Sequence, residues 1–328
     1  MTIDILTTGL AFPEGPVVLA DGDLLVVEVL GGRLTRIAAD GTARTVAELG
    51  GGPNGAAIGP DGRCYVCNNG GFAPSASPDL LIPREAPFDT PPGSIQVVDL
   101  ASGAWETLYA SSEAAPFWAP NDLVFDDAGG FWFSDHGRDR GRMRQKGGVY
   151  YAMADGSAIR EVIFPIDSAN GVGLSPDGAT LYVADTLSGQ LWRFPLSAPG
   201  VVSDAGSIVG RVGPGQFLDS LAVEQSGRIC VASPGHGAIL IFSPDGGIAD
   251  VVPMPDFLTT NICFGGADFR KAYVTLGSSG RLATMDWPRP GLPLACAVRS
   301  PAAAEMQRSS AAKSDPHDLL PTRTEADR

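Results

Sequence analysis

Glu14, Asn54, Asn121, Asn170, Asp219 and Asn261 are the side chains of this sequence best placed to act together, because each stands second in one of six similar segments. All six are carboxylates or carboxamides. Such a set offers hard oxygen ligands, which suit Ca2+, Mg2+ or Mn2+ better than softer metals. Zn2+ stays open because carboxylates bind it too, although no Cys or His cluster stands at this level to select it. Without a cation, Glu14 and Asp219 held close together would repel, and one would be driven toward protonation. A plainer reading competes: Asn, Asp and Glu at strand starts satisfy backbone amides, and Asn54-Gly55 and Asn170-Gly171 are common turn pairs. Glu14 at the same phase is poor turn chemistry and favours the metal. Asp122 and Ser220, each one residue after a ring member, point elsewhere in a regular strand and reach the metal only where the strand start is bent.

The elements that must position these groups follow from the repeat. The segments begin at Pro13, Pro53, Pro120, Ala169, Leu218 and Thr260. Each runs from its polar second residue through a short apolar strand to a turn: Asp21-Gly22, Asp61-Gly62, Ala128-Gly129, Asp177-Gly178, Ser226-Gly227 and, as the one departure, Asp268-Phe269. A second strand of β-branched and aromatic residues follows, as in FWFSD or TLYVAD, and the pair reads as a β-hairpin. Most segments continue into a third and fourth strand, and repeats of roughly 40 to 50 residues with four strands each predict an all-β, six-bladed propeller around a central channel. Its innermost strands would aim the six polar residues at one end of the axis. The sixth unit stops near Trp287, and the opening IDILTTGL is expected to supply its outer strand and close the ring. One propeller domain is expected over residues 1–298, with a flexible tail over 299–328.

The second strand of each hairpin returns to the same mouth, so Glu28, Asn68, Asn69, Asp135, His136, Asp185 and Ser233 are expected to rim it. Two interruptions stand there as well. An insertion over 71–93 reads as a lid, and a stretch with Phe117 and Trp118 precedes the third repeat. Their apolar residues are Phe72, Leu80, Leu81, Ile82, Phe88, Phe117 and Trp118; Arg84 and Arg138 are the basic exceptions. Asn54, Asn121, His136, Arg138 and Trp118 are the expected substrate contacts.

Composition narrows the function. The 328 residues include 42 Gly and 27 Pro with 18% charged residues, which fits many short strands and tight turns. A formal charge of −14 disfavours nucleic acid and anionic membrane as partners and leaves a small molecule or a cation. No basic start precedes an apolar run, so no signal peptide is expected. Five cysteines form an odd set suited to a reducing cytoplasm. Cys64 and Cys67 make a CxxC in a strand, where positions three apart face opposite ways; core packing is expected there instead of zinc or thiol chemistry.

The motifs PEGP, PNDLVFDDAGGFWFSD, ANGVGLSPDGATLYVAD and the Asp219 segment, arriving in that order over roughly residues 10 to 290, resemble the family of senescence marker protein 30, gluconolactonase and related lactonases. The resemblance implies a six-bladed propeller that hydrolyses a cyclic ester with one divalent metal. It puts metal ligands at Glu14, Asn170 and Asp219, with Asn121 contacting substrate or metal. In this scheme the cation polarises the lactone carbonyl, Asp219 is the general base that activates water, and no GxSxG elbow competes. The apolar lid departs from the polar surround that a sugar lactone needs, so either it packs down or the substrate is a bulkier lactone. Two further readings stay open: a non-catalytic calcium- or ligand-binding propeller, and a related propeller enzyme acting on a non-lactone substrate, as in the strictosidine synthase-like proteins.

Overall fold

The computed structural model describes residues 2–296 apart from 74–76, 78, 79, 85, 88 and 114. The expected tail over 299–328 and the lid residue Phe88 therefore lie outside the described residues.

Six antiparallel sheets stand in a ring, and the molecule is a six-bladed β-propeller. The innermost strands are Pro13–Val18, Pro53–Ile58, Pro120–Phe125, Ala169–Leu174, Leu221–Val223 and Thr259–Gly265. Each packs on the next, and the last returns to the first. Their approach is close enough to restrict side chains. A Cβ on Gly15, whose φ is +51°, would sit 2.7 Å from Ala56 N. The second strands are Leu24–Glu28, Cys64–Asn68, Gly130–Asp135, Thr180–Asp185, Ile229–Ser233 and Lys271–Leu276.

The ring closes as the sequence implies. Asp4–Thr7 pairs with Arg281–Asp286, the third strand of blade 6, so one sheet joins the start of the described chain to its far end. This covers an edge that would otherwise be open to pairing.

Apolar faces of adjacent blades make the core. Tyr65 of blade 2 meets Phe125 of blade 3 edge-to-face at 5.0 Å, and Phe133 stacks on Tyr150 at 5.0 Å. Strand alternation divides the CxxC as expected. Cys64 packs with Val17, Leu25 and Val66 toward blade 1, whereas Cys67 packs with Ile95, Phe117 and Phe133 toward blade 3. Burial raises both thiols, which leaves them protonated and inert.

Two elements were not anticipated. A small hairpin, Arg138–Arg140 with Met143–Gln145, rises between the second and third strands of blade 3. After Trp287 the chain crosses the opposite end of the axis as a strap. Gly291 N donates to Phe269 O and Leu292 N to Val223 O, both at 2.8 Å, and Cys296 is buried in the core shared by blades 2 and 3. Gly291 is required where the strap crosses Phe264, because a Cβ would lie 2.1 Å from the ring. Buried Glu224 holds the strap, accepting from Trp287 Nε1 at 2.8 Å and from Arg289 Nε and Nη2 at 2.6 and 2.9 Å.

Candidate active site

The polar position of the repeat is set by a bend in the strand. In blades 1 to 4 the ladder between first and second strands slips at or just after this residue, between Glu14 and Val17, Pro53 and Ala56, Pro120 and Leu123, and Ala169 and Val172. Blade 6 slips between Thr259 and Asn261. A bulge of this kind re-aims the side chains within and beside it.

Glu14, Asn54, Asn121, Asn170 and Asp219 line one cavity of about 510 Å3 at the mouth of the axis. Asn261 takes a different place. Its Nδ2 donates to Glu14 Oε2 at 2.8 Å while its Oδ1 accepts from Ile262 N at 2.7 Å, so it orients Glu14 from behind. The strand-start bend also decides Asp122. It lines a larger, mainly apolar cavity of about 960 Å3 at the opposite end of the axis, which the strap borders, and it is hydrogen bonded to Leu123 N and to Ser220.

The electrostatics are those of like charges in a confined space. Burial pushes the Glu14 carboxyl up to about 7, although hydrogen bonds from Asn261 and Gly15 N favour its ionised form. Asp219 lies well above the usual carboxylate range through burial and then through the charge of Glu14, while a hydrogen bond with Asn170 acts the other way. Asp122 is pushed up to about 7 by burial and by Glu14. Among the described residues no group of three or more His, Cys, Asp and Glu side chains is placed to hold a metal ion, so a cation at this mouth would need amide oxygens. Those are present: Asn121 Oδ1 is buried and accepts no hydrogen bond, and Asn170 Oδ1 receives only a 3.5 Å contact from Ser220 Oγ while its Nδ2 serves Thr186 Oγ1 and Asp219. Two mutually repelling carboxylates beside an unused amide oxygen fit a hard divalent cation.

Of the residues expected to rim the mouth, Asn69 and His136 line the cavity and the other five have other work. Glu28 accepts from Arg33, Thr35 and Ala11 N; Asp135 accepts from the backbone of Trp118, Ala119 and Gly137; Asp185 holds Ser168; Ser233 donates to Phe217 O. Each pins the loop that enters its blade's inner strand. Asn68 does the same through Gly52 N and Gly70 N.

His136 lines the cavity, and burial together with the nearby Arg144 pushes its imidazole down to about 4, which keeps it neutral. Arg138 also lines the cavity, but its guanidinium donates to Thr90 O, Pro91 O and Asn69 O and so clamps both stems of the insertion. Trp118 is half-buried and is not among the residues that line the cavity. The lid reaches from blade 2 to blade 6, where Leu81 N donates to Ser278 O at 2.9 Å. Phe72 and Ile82 line the cavity from the lid, whereas Phe117 is fully buried in the core. Asn69, expected at the mouth from its strand-end position, lines the cavity, whereas sequence reasoning did not single out Thr186 or Arg144 as site residues.

A six-bladed propeller whose axis opens on an oxygen-lined mouth defines the class of protein. Within it, this chain belongs to the SMP-30/Gluconolactonase/LRE-like family, whose sequence model matches residues 12–278. It is similar to lactonase drp35 of Staphylococcus haemolyticus strain JCSC1435, with 31% identity over 251 residues that cover 74% of this chain and 69% of the relative. Among solved structures it resembles a gluconolactonase from Xanthomonas campestris, with a TM-score of 0.70, 22% identity and coverage of 87% of this chain and 89% of that one. It also resembles regucalcin from Agrobacterium tumefaciens strain C58, described as a calcium-binding protein, with a TM-score of 0.67, 20% identity and coverage of 88% and 97%. At these identities the two structures speak for the fold. No helix among the described residues is long and apolar enough to cross a membrane.

Proposed function

We propose that the chain is a divalent-metal-dependent lactonase, with Glu14, Asn170, Asp219 and Asn121 holding the cation and Asp219 acting as general base. The observation that carries this reading is the pairing of two buried, mutually repelling carboxylates, Glu14 and Asp219, with the unused Oδ1 of Asn121 on one cavity floor. The family membership and the lactonase relative support the ester as substrate.

A divalent cation at this position supplies a Lewis acid that polarises the lactone carbonyl and favours negative charge on its oxygen. Glu14 and Asp219, holding such a cation, would stay ionised at neutral pH, as a base requires. The protein supplies the rest. Asp219 accepts a proton from the attacking water as the new C–O bond forms. It then returns that proton to the ring oxygen as the ester C–O bond breaks, so that a hydroxy acid leaves. Asn261 fixes Glu14, and Thr186 fixes Asn170, so neither ligand is free to swing. His136, neutral and hydrogen bonded to the backbone of Gly137, lines the wall with Asn54.

The test is to strip the protein with a chelator, restore Ca2+, Mg2+, Mn2+ and Zn2+ singly, and follow acid release from a panel of lactones. Metal-restored turnover is expected, with Asp219→Asn lowering kcat by about 100-fold or more. Full activity in Asp219→Asn, or metal binding with no turnover on any lactone, would replace the hydrolase by a binding propeller.

A further inference from the structure

The cavity at the far end of the axis takes no part in the hydrolysis, yet its volume of about 960 Å3 is that of a small-molecule site. Its shaft is apolar: Val17, Val124, Val172, Leu221 and Ile262, from the inner strands of five blades, line it. The rim is apolar as well. Leu19, Leu174, Leu196, Phe269 and Leu292 stand there half-buried, and Leu294 of the strap is 46% exposed.

The charged side chains of this cavity have one sign. Asp21, Asp122, Asp126, Asp127 and Asp177 line it, and no Lys, Arg or His among the described residues joins them. Ser175, Ser197 and Asn261 are its other polar side chains. Arg36 pairs with Asp21, whereas Asp126, Asp127 and Asp177 have no cation within ion-pair distance among the described residues. A ligand with a carboxylate would be repelled here, and one with a positive group is drawn in.

One rim residue stands against its own backbone. At the hairpin turn of each other blade the equivalent position is Gly22, Gly62, Gly129, Gly178 or Gly227, with φ between +67° and +91°. Blade 6 has Phe269 there, at φ +56°. A bulky side chain in the left-handed region carries a conformational cost that glycine avoids. The strap does not account for the ring, because Gly291 N donates to the Phe269 carbonyl, which any residue would supply. Nor does the ring belong to any of the buried apolar clusters between blades. It faces the cavity instead.

We infer that the far cavity is a second ligand site, for an organic cation with an apolar body. The body lies against Phe269, Leu292 and Leu294 and down the shaft, and the positive group stands beside Asp126, Asp127 and Asp177. The inference is independent of the lactonase reading, since none of these contacts belongs to the mouth.

Calorimetric titration of the full chain in saturating Ca2+ tests it, with hexyl-, octyl- and decyltrimethylammonium read against octanol and octanoate. Affinity for the ammonium series should rise by up to about fourfold per methylene, and octyltrimethylammonium should bind at least tenfold more tightly than octanoate. Phe269→Gly gives the turn the residue of the other blades; it should weaken binding at least tenfold while Tm stays at or above that of the parent. Leu294→Ser, at an exposed position, should weaken it severalfold. Asp127→Asn with Asp177→Asn should lower the ammonium affinity at least tenfold and leave octanol within twofold. Leu187→Ser, which alters the mouth, should change none of these values. No binding, octanoate as tight as the ammonium, or binding indifferent to Phe269→Gly and Leu294→Ser overturns the site. An affinity lowered by Leu187→Ser places the probe at the mouth and overturns it equally.

Discussion

Glu14→Gln distinguishes a cation site from ordinary strand-start chemistry. Burial raises the Glu14 carboxyl from 4.5 to about 7. At about 1.4 kcal/mol per pH unit, carrying the ionised form into the fold costs about 3 kcal/mol. Because the folded value is raised, the associated stability is fully present below 4.5, is lost as pH climbs toward 7, and stays lost above it. Gln has nothing to ionise. It also keeps the local bonding, since Asn261 Nδ2 and Gly15 N both address the same carboxylate oxygen, which an amide oxygen can replace. In chelator at pH 8, Glu14→Gln should therefore be more stable than the parent by up to about 3 kcal/mol, roughly 6 °C in Tm for a chain of this size. At pH 4.5 the two should converge. Saturating Ca2+ reverses the order, because a ligand at about 1,000 times its Kd adds about 4 kcal/mol to the parent and much less to a variant that has lost a charged ligand. Thermal melts followed by circular dichroism across pH 4.5 to 8, with chelator and with Ca2+, read all three comparisons. If Glu14→Gln melts at or below the parent in chelator at pH 8, or gains as much from Ca2+, Glu14 is a structural acceptor and the cation site falls.

Arg138→Met removes the donors to Thr90 O, Pro91 O and Asn69 O; hydrogen exchange and proteolysis within 71–93 should accelerate at least tenfold while Tm falls only a few degrees. Glu224 is raised by burial but lowered further by Arg289, Trp287 and Ser226, so its carboxyl lies below the usual range. Its stabilising effect is present above the unfolded value and is lost as pH falls through the lower folded one. Glu224→Gln should therefore cost about 3 kcal/mol at neutral pH in urea unfolding and lose part of that deficit in acid. Removing residues 2–8 deletes the outer strand Asp4–Thr7 and bares the edge Arg281–Asp286; a lower Tm and concentration-dependent association in sedimentation velocity are expected.

The propeller and its polar axis were legible because both depend on periodicity. Six hairpins with one phase can be counted from turns and alternation, and the missing outer strand follows from the count alone. Roles that depend on a single contact were not legible. Glu28, Asp135 and Asp185 occupy the same mouth as the ring, and nothing in their spacing separates a ligand from a peg; what separates them is the loop amide each one captures. The strap after Trp287 was missed because it crosses the far mouth through isolated backbone bonds and the Glu224 clamp, with several prolines and no alternation. The hairpin after Arg138 was hidden by its composition, since GRDRGRMRQK has charges where a strand normally shows apolar residues.

The inequality of the six repeat positions follows from the same physics. Like carboxylates can share an axis only if other groups absorb or orient their charge, and here Asn261 turns its donor to Glu14 while Asn170 hydrogen bonds with Asp219. Two amides are thereby tied to the two acids. Asn121 and Asn54 remain on the cavity, and of these Asn121 Oδ1 is the buried one without a partner. Asn121→Leu, which removes that oxygen at similar volume, should therefore leave chelated stability unchanged or raised while weakening cation binding at least tenfold by calorimetry. Loss of stability in chelator would mean that the Asn121 oxygen already serves the fold, and the cation would have lost its least committed ligand.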